Sequence, residues 1–96
     1  VSASLQSIVK RYKKNHPSLH DFHQKVAIHI NDTHPALAVP ELMRILLDEE
    51  KMTWDEAWHV TVHTISYTNH TTLAEALEKW RIDLIKPLLP RIFMII

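Results

Sequence analysis

Leu5, Ile8, Val9 and Tyr12 recur at helical spacing at the start of the chain, and a single apolar stripe of this kind marks an amphipathic helix. The stripe predicts a helix over residues 3–14. Lys10, Arg11, Lys13 and Lys14 gather toward its carboxyl end, where cations suit the helix dipole, and they read as a solvated face. Residues 15–23 lose the period and carry Pro17 among small polar residues, which predicts a loop. The period then changes to two: the β-branched Val26, Ile28 and Ile30 alternate with Ala27 and His29, predicting a strand at about residues 25–31.

Asn31-Asp-Thr-His closes that strand and Pro35 follows, so Asp32 or Thr33 is expected to cap the next helix, with the proline in its first turn. Leu37, Leu42, Met43, Ile45, Leu46 and Leu47 make this helix apolar on more than one side. Pro40 removes a backbone donor, which predicts a short turn before it and the main helix after it. Asp48, Glu49 and Glu50 then oppose the dipole at the helix end, with Lys51 as a partial offset. Thr53-Trp-Asp-Glu56 has the form of a capping box, in which threonine and glutamate satisfy each other's amides. A helix should start there and bury Trp54, Trp58, Val62 and Ile65, with Ala57 and Thr61 widening the stripe. Residues 67–72 should end that helix in a loop, and residues 74–80 favour a short helical segment. Pro87 and Pro90 divide the apolar tail into a turn and the start of another helix.

The class is therefore α/β, mostly helical around one strand. A single strand cannot form a sheet, so its neighbours are expected in other parts of a longer chain or in a partner. Two further observations suggest a piece of a larger domain. The chain opens on Val1-Ser-Ala-Ser and stops on Ile92-Phe-Met-Ile-Ile96, as if cut at both ends.

Composition changes the picture by what it excludes. Acidic and basic residues number 11 each, leaving no net field to attract nucleic acid or an anionic membrane. With 46% apolar and 23% charged residues, the 96-residue chain suits a globular domain of modest size. The apolar tail is far below the roughly 20 residues that span a bilayer, and the opening residues lack the layout of a signal peptide. Without cysteine there is no disulfide framework, which is compatible with a cytoplasmic setting. Without glycine there is no glycine-rich phosphate loop.

Candidate chemistry collects where regular elements end. Asp32 and His34 follow the carboxyl end of a strand, where open α/β sheets place their ligands; the plainer reading is a helix cap and a loop histidine. Glu56, His59 and His63 share a helix face at spacings of three and four, which suits a metal ion. A di-iron carboxylate site would need a second Glu-x-x-His, and the chain has no such copy. With the tryptophans claiming the buried side, His59 and His63 should face solvent. Asn31-Asp-Thr and Asn69-His-Thr match the N-glycosylation pattern, although asparagines at such positions commonly bond local backbone. No serine–histidine–acid arrangement is evident.

Taken together, Val26-Ala-Ile-His-Ile-Asn-Asp-Thr-His-Pro35, Pro40-Glu-Leu-Met-Arg44, Trp54-Asp-Glu-Ala-Trp58, Tyr67-Thr-Asn-His-Thr71 and Glu75-Ala-Leu-Glu-Lys-Trp80 closely resemble the α-glucan phosphorylases, the glycogen, starch and maltodextrin enzymes. The resemblance covers the whole chain. It implies an internal part of the N-terminal domain of a two-domain, Rossmann-like (GT-B type) glycosyltransferase, so that residues 1–96 form part of one wall of the catalytic cleft. It also implies a homodimeric parent enzyme that uses inorganic phosphate to release terminal α-1,4-linked glucose as glucose 1-phosphate with retained configuration. The pyridoxal 5′-phosphate of that enzyme sits on a lysine outside this chain.

Carried over position by position, the resemblance puts Asp32 and His34 beside the reacting glucose. It gives the main-chain carbonyl of His70 a contact with the sugar's 6-hydroxyl and sets Thr71, Ala76 and Glu78 along a side cavity and the gate loop. None of these is a base or nucleophile, and the segment alone should be inactive. Ala74 replaces a usual proline, and Ile92 replaces a usual histidine.

Overall fold

The computed structural model describes residues 1–68 and 79–96. Helix α1 (Ser2–Lys13) buries Leu5, Val9 and Tyr12, the stripe its spacing predicts. Its basic end is not wholly solvated, because Lys13 Nζ donates to Glu50 Oε2 at 2.9 Å. The expected loop that follows contains a short helix, α2 (Phe22–Lys25). Phe22 has no exposed surface and meets Tyr12 edge to face at 5.1 Å between ring centroids. Four residues are too few to show a helical period, which is why α2 is invisible in the pattern.

Strand β1 (Ile28–Asn31) buries Ile30 and exposes His29 and Asn31. A turn over residues 34–37 leads into α3 (Ala38–Arg44), which continues as a π-helical turn, Ile45–Glu49. Neither Asp32 nor Thr33 caps α3, since Leu37 occupies the cap position and supplies no side-chain bond. Pro40 lies in the first turn of α3, where its missing N–H is one of the amides that has no intrahelical acceptor. That placement lets the helix begin before the proline rather than after it. Ala38, Leu42, Met43, Ile45 and Leu46 are buried, in keeping with an element covered on several sides by α1, α4 and α6 (Pro90–Ile95).

The acidic end of this helix is neutralised chiefly by distant elements, with Arg44 and Lys51 adding weaker attraction. Arg91 donates bidentately to Asp48 at 2.8 and 2.7 Å, and Lys13 meets Glu50. Lys51 takes a left-handed conformation, φ 58°, immediately after the helix, a position usually filled by glycine.

Helix α4 (Trp54–Thr64) starts on the predicted capping box: Glu56 N–H donates to Thr53 Oγ1, and Thr53 N–H donates to Glu56 Oε2, both at 3.2 Å. The predicted buried stripe holds at Ala57 and Thr61 and fails at the tryptophans and Val62. Trp54, Trp58 and Val62 are 49%, 48% and 44% exposed, whereas Ala57, Val60, Thr61 and Thr64 are buried. Small side chains let α4 approach α3 closely, and the bulkier tryptophans then line a surface cleft with Val39, Pro40, Met43, Ile95 and Ile96.

The expectation of a lone strand is also corrected. α4 passes without a turn into strand β2 (Ile65–Thr68), so Ile65 belongs to a strand rather than to a helical stripe. β2 pairs in parallel with β1, in the register Ile28 to Ile65, His29 to Ser66, Ile30 to Tyr67 and Asn31 to Thr68. The chain thus carries its own β-α-β crossover, with α3, the π turn and α4 between the strands. Beyond residue 78, Lys79 and Trp80 are not helical, and the rest of the helical segment expected at 74–80 lies outside the described residues. α5 (Ile82–Leu88) holds Pro87 near its end, and Pro90 opens α6.

Candidate functional site

Parallel pairing brings the ends of both strands to one edge of the sheet, with Asn31 opposite Thr68. The start of Asn31-Asp-Thr-His and the start of Tyr67-Thr-Asn-His, 36 positions apart by number, are therefore neighbours in space. Asp32 N–H donates to the Thr68 carbonyl at 2.7 Å and ties them together. Continuing past this bond, the chain turns sharply at Asp32, whose φ is 66°. Left-handed backbone costs most residues about 1 kcal/mol or more, and aspartate is among those that tolerate it because its side chain bonds locally. Asp32 Oδ1 does so by accepting the Thr33 N–H at 2.9 Å.

The turn leaves Asp32 and Thr33 half-buried and His34 exposed. Thr33 Oγ1 is buried without a hydrogen-bond partner among the described residues. Such an oxygen costs about 1–3 kcal/mol if it stays unpaired, so the strand ends carry unused polar capacity. His70, Thr71, Ala76 and Glu78 lie outside the described residues. Of the six residues expected at the sugar, Asp32 and His34 are thus placed, and both sit at the edge where the two motifs begin.

A second polar region lies on the outer side of α2 and α4. Ser18 Oγ is 2.6 Å from His20 Nδ1, and His20 Nε2 is 3.5 Å from Glu56 Oε2. The order serine, histidine, carboxylate resembles a nucleophilic relay, yet the ring is used backwards: in such relays the acid holds Nδ1 and the hydroxyl meets Nε2. Glu56 is already committed to the helix cap. The Thr53 N–H holds its carboxyl below the ordinary value, with desolvation opposing and His20 assisting. These exposed groups make a local polar chain.

A sequence model of the carbohydrate phosphorylases matches residues 1–96. The chain belongs to the carbohydrate phosphorylase family. It is 77% identical over 96 residues to the glycogen phosphorylase of Bacillus subtilis (strain 168), covering all of this chain and 12% of that protein. It is 55% identical over 96 residues to glycogen phosphorylase 2 of Dictyostelium discoideum, covering all of this chain and 10% of that one. Against the muscle form of human glycogen phosphorylase the identity is 54% over 104 residues, with all of the chain and 12% of the human protein covered. The chain therefore spans about an eighth or less of the phosphorylases it matches.

Within this phosphorylase segment, sequence reasoning missed two features of the site. The partner strand of β1 was hidden because β2 is four residues long and begins without a turn. His23 falls in the aperiodic stretch over residues 15–23, yet its ring lies 5.0 Å from that of His59 and 5.6 Å from that of His63. No local signal announces that contact, which depends on α2 packing against α4. The departure at Ile92 also has a structural side: Ile92 is buried, 6% exposed, and serves packing.

Proposed function

We propose that this chain is the part of an α-glucan phosphorylase, of the two-domain GT-B type, that supplies one wall of the glucose pocket in the N-terminal domain. The observation that carries the proposal is the register of β1 and β2, which sets Asp32 beside Thr68 at one sheet edge in a chain of the carbohydrate phosphorylase family. Ligands of α/β sheets bind at the carboxyl ends of strands, and a sugar offers several hydroxyls to such an edge. Asp32, His34, the His70 carbonyl, Thr71, Ala76 and Glu78 hold and orient the terminal glucose of an α-1,4-glucan. The complete enzyme is a cytoplasmic homodimer that uses inorganic phosphate and releases glucose 1-phosphate with retention.

Pyridoxal 5′-phosphate, which supplies proton transfer to the attacking phosphate when bound, does not fit the residues present. All seven lysines, at positions 10, 13, 14, 25, 51, 79 and 86, are exposed, and a cofactor lysine belongs in a desolvated pocket. This segment contributes recognition and no step through that group.

The purified 96-residue chain, given maltodextrin and phosphate, is expected to release no glucose 1-phosphate. Exchanged for the matching stretch of the Bacillus subtilis enzyme, it should preserve phosphorolysis. Asp32→Asn or His34→Ala in that exchange should then lower kcat/KM about 5- to 100-fold, the value of one or two lost polar contacts. Activity of the isolated chain would overturn the proposal, as would variants indistinguishable from the parent exchange.

A further inference from the structure

The chain has no glycine, so every left-handed turn falls to another residue type. At the edge where both strands end that residue is Asp32, at φ 66°. Alanine is disfavoured in such backbone by roughly five- to thirtyfold, whereas glycine enters it about as readily as the right-handed region. Three hydrogen bonds define the turn. The Asp32 N–H donates to the Thr68 carbonyl at 2.7 Å, Asp32 Oδ1 accepts the Thr33 N–H at 2.9 Å, and the Thr33 carbonyl accepts the Ala36 N–H at 3.0 Å. Both main-chain groups of Thr33 are thus engaged, the N–H by the Asp32 carboxylate and the carbonyl by the turn that contains His34.

We infer that Asp32 is a positioning residue for His34, its carboxylate setting the left-handed turn from which His34 is presented at the sheet edge. The inference rests on the reading of this edge as part of the glucose pocket. His34 is exposed, so burial contributes little to its placement and the main chain on either side contributes more. Pro35 follows it, and a proline ring narrows the backbone conformations open to the residue before it. Asp32 on one side and Pro35 on the other therefore leave His34 few main-chain alternatives. This role is separable from a direct sugar contact, because the contact needs the carboxylate alone and the turn needs left-handed backbone.

The test uses the Bacillus subtilis enzyme carrying this chain in place of its matching stretch, with kcat/KM for phosphorolysis of maltodextrin measured on folded, purified enzyme. Asp32→Gly and Asp32→Ala both remove the carboxylate, and only glycine accepts the left-handed turn without penalty. Asp32→Gly is therefore expected to exceed Asp32→Ala by at least about threefold. Asp32→Asn, which tolerates the same backbone and keeps an acceptor for the Thr33 N–H, should exceed both. In a His34→Ala background the difference between glycine and alanine should shrink to within about 1.5-fold, the mark of two residues that act as a unit. Should Asp32→Ala fail to fold, Asp32→Gln takes its place, since glutamine lacks asparagine's tolerance of left-handed backbone.

Equal activity of the glycine and alanine variants, both below the parent exchange, would overturn the inference and leave the glucose-pocket reading standing, because a direct contact alone does not distinguish them. A glycine advantage that persists without His34 would overturn it as well, since the turn would then serve something other than that ring. Activity equal to the parent exchange in every Asp32 and His34 variant would remove the pocket reading and the inference together.

Discussion

Residues 1–68 and residues 79–96 are both rich in large apolar side chains, and they use them differently. In the first region Leu5, Leu19, Phe22, Leu42, Met43, Ile45 and Leu46 are 3% exposed or less. In the second only Ile92 is buried among the described residues, while Ile82, Leu88, Met94 and Ile96 are 64–75% exposed. Hydropathy is therefore not what separates core from surface here. The first region folds back through a β-α-β crossover, so that most of its apolar faces meet another, the Trp54, Trp58 and Val62 face of α4 excepted. α5 rests on α6, and α6 touches α3 along one side. Apolar area stabilises only when it leaves water, at about 25 cal/mol per Å², and most of the second region does not.

The sharpest way to break this comparison is a deletion in the first region. Phe22→Ala removes a wholly buried ring that joins α2 to Tyr12 of α1, and should cost about 3–5 kcal/mol by lost transfer energy and the cavity left behind. Urea denaturation followed by circular dichroism measures it, and a loss below about 1 kcal/mol would mean that α2 is peripheral to the core.

A smaller effect resides where the two regions meet a buried charge. Glu41 is 6% exposed and accepts from Arg44 at 2.6–3.0 Å and from Ser2 at 2.9 Å. Burial alone would raise its pKa; the Arg44 and Ser2 bonds, with the nearby positive charges, outweigh that and lower it below 4.5. A depressed folded pKa means that the unfolded chain binds the proton more readily. The stability Glu41 contributes is thus complete above pH 4.5 and disappears as pH falls through the lower folded value. Glu41→Gln should cost about 1–3 kcal/mol at pH 7 and flatten stability against pH below 4.5. An unchanged acid slope would show that Asp48 and Glu56, whose values are also lowered, carry it instead.

The sequence disclosed elements with a local signature and hid those made by contact. The α1 stripe, the β1 alternation and the capping box at Thr53 each lie within a few residues, and each is present. The tryptophan stripe misleads because large apolar area suggests a buried face for Trp54 and Trp58, whereas close helix packing takes Ala57 and Thr61, the pair expected only to widen that face. β2 was lost because alternation over four residues is too brief to distinguish from the helix before it. Asp32 and His34 were legible as a strand-end pair, but their closeness to Thr68 required the parallel register. The His23 contact with His59 and His63 required the packing of α2, which no periodicity reveals.

The smallest effect sharpens the comparison from the other side. Ile82 is 64% exposed and Leu84 48%, so exchanging either for glutamine moves little apolar area into or out of the core. Exposed substitutions of this kind usually stay within about 0.5 kcal/mol. Ile82→Gln with Leu84→Gln should therefore leave the urea midpoint almost unchanged. The same variant should reduce concentration-dependent self-association in sedimentation velocity, because contiguous exposed apolar surface promotes it. A destabilisation above about 1 kcal/mol would place α5 in the core after all and erase the contrast between the two regions. An unchanged midpoint with weaker association would make α5 a contact surface, whose apolar residues face a partner rather than the interior of this chain.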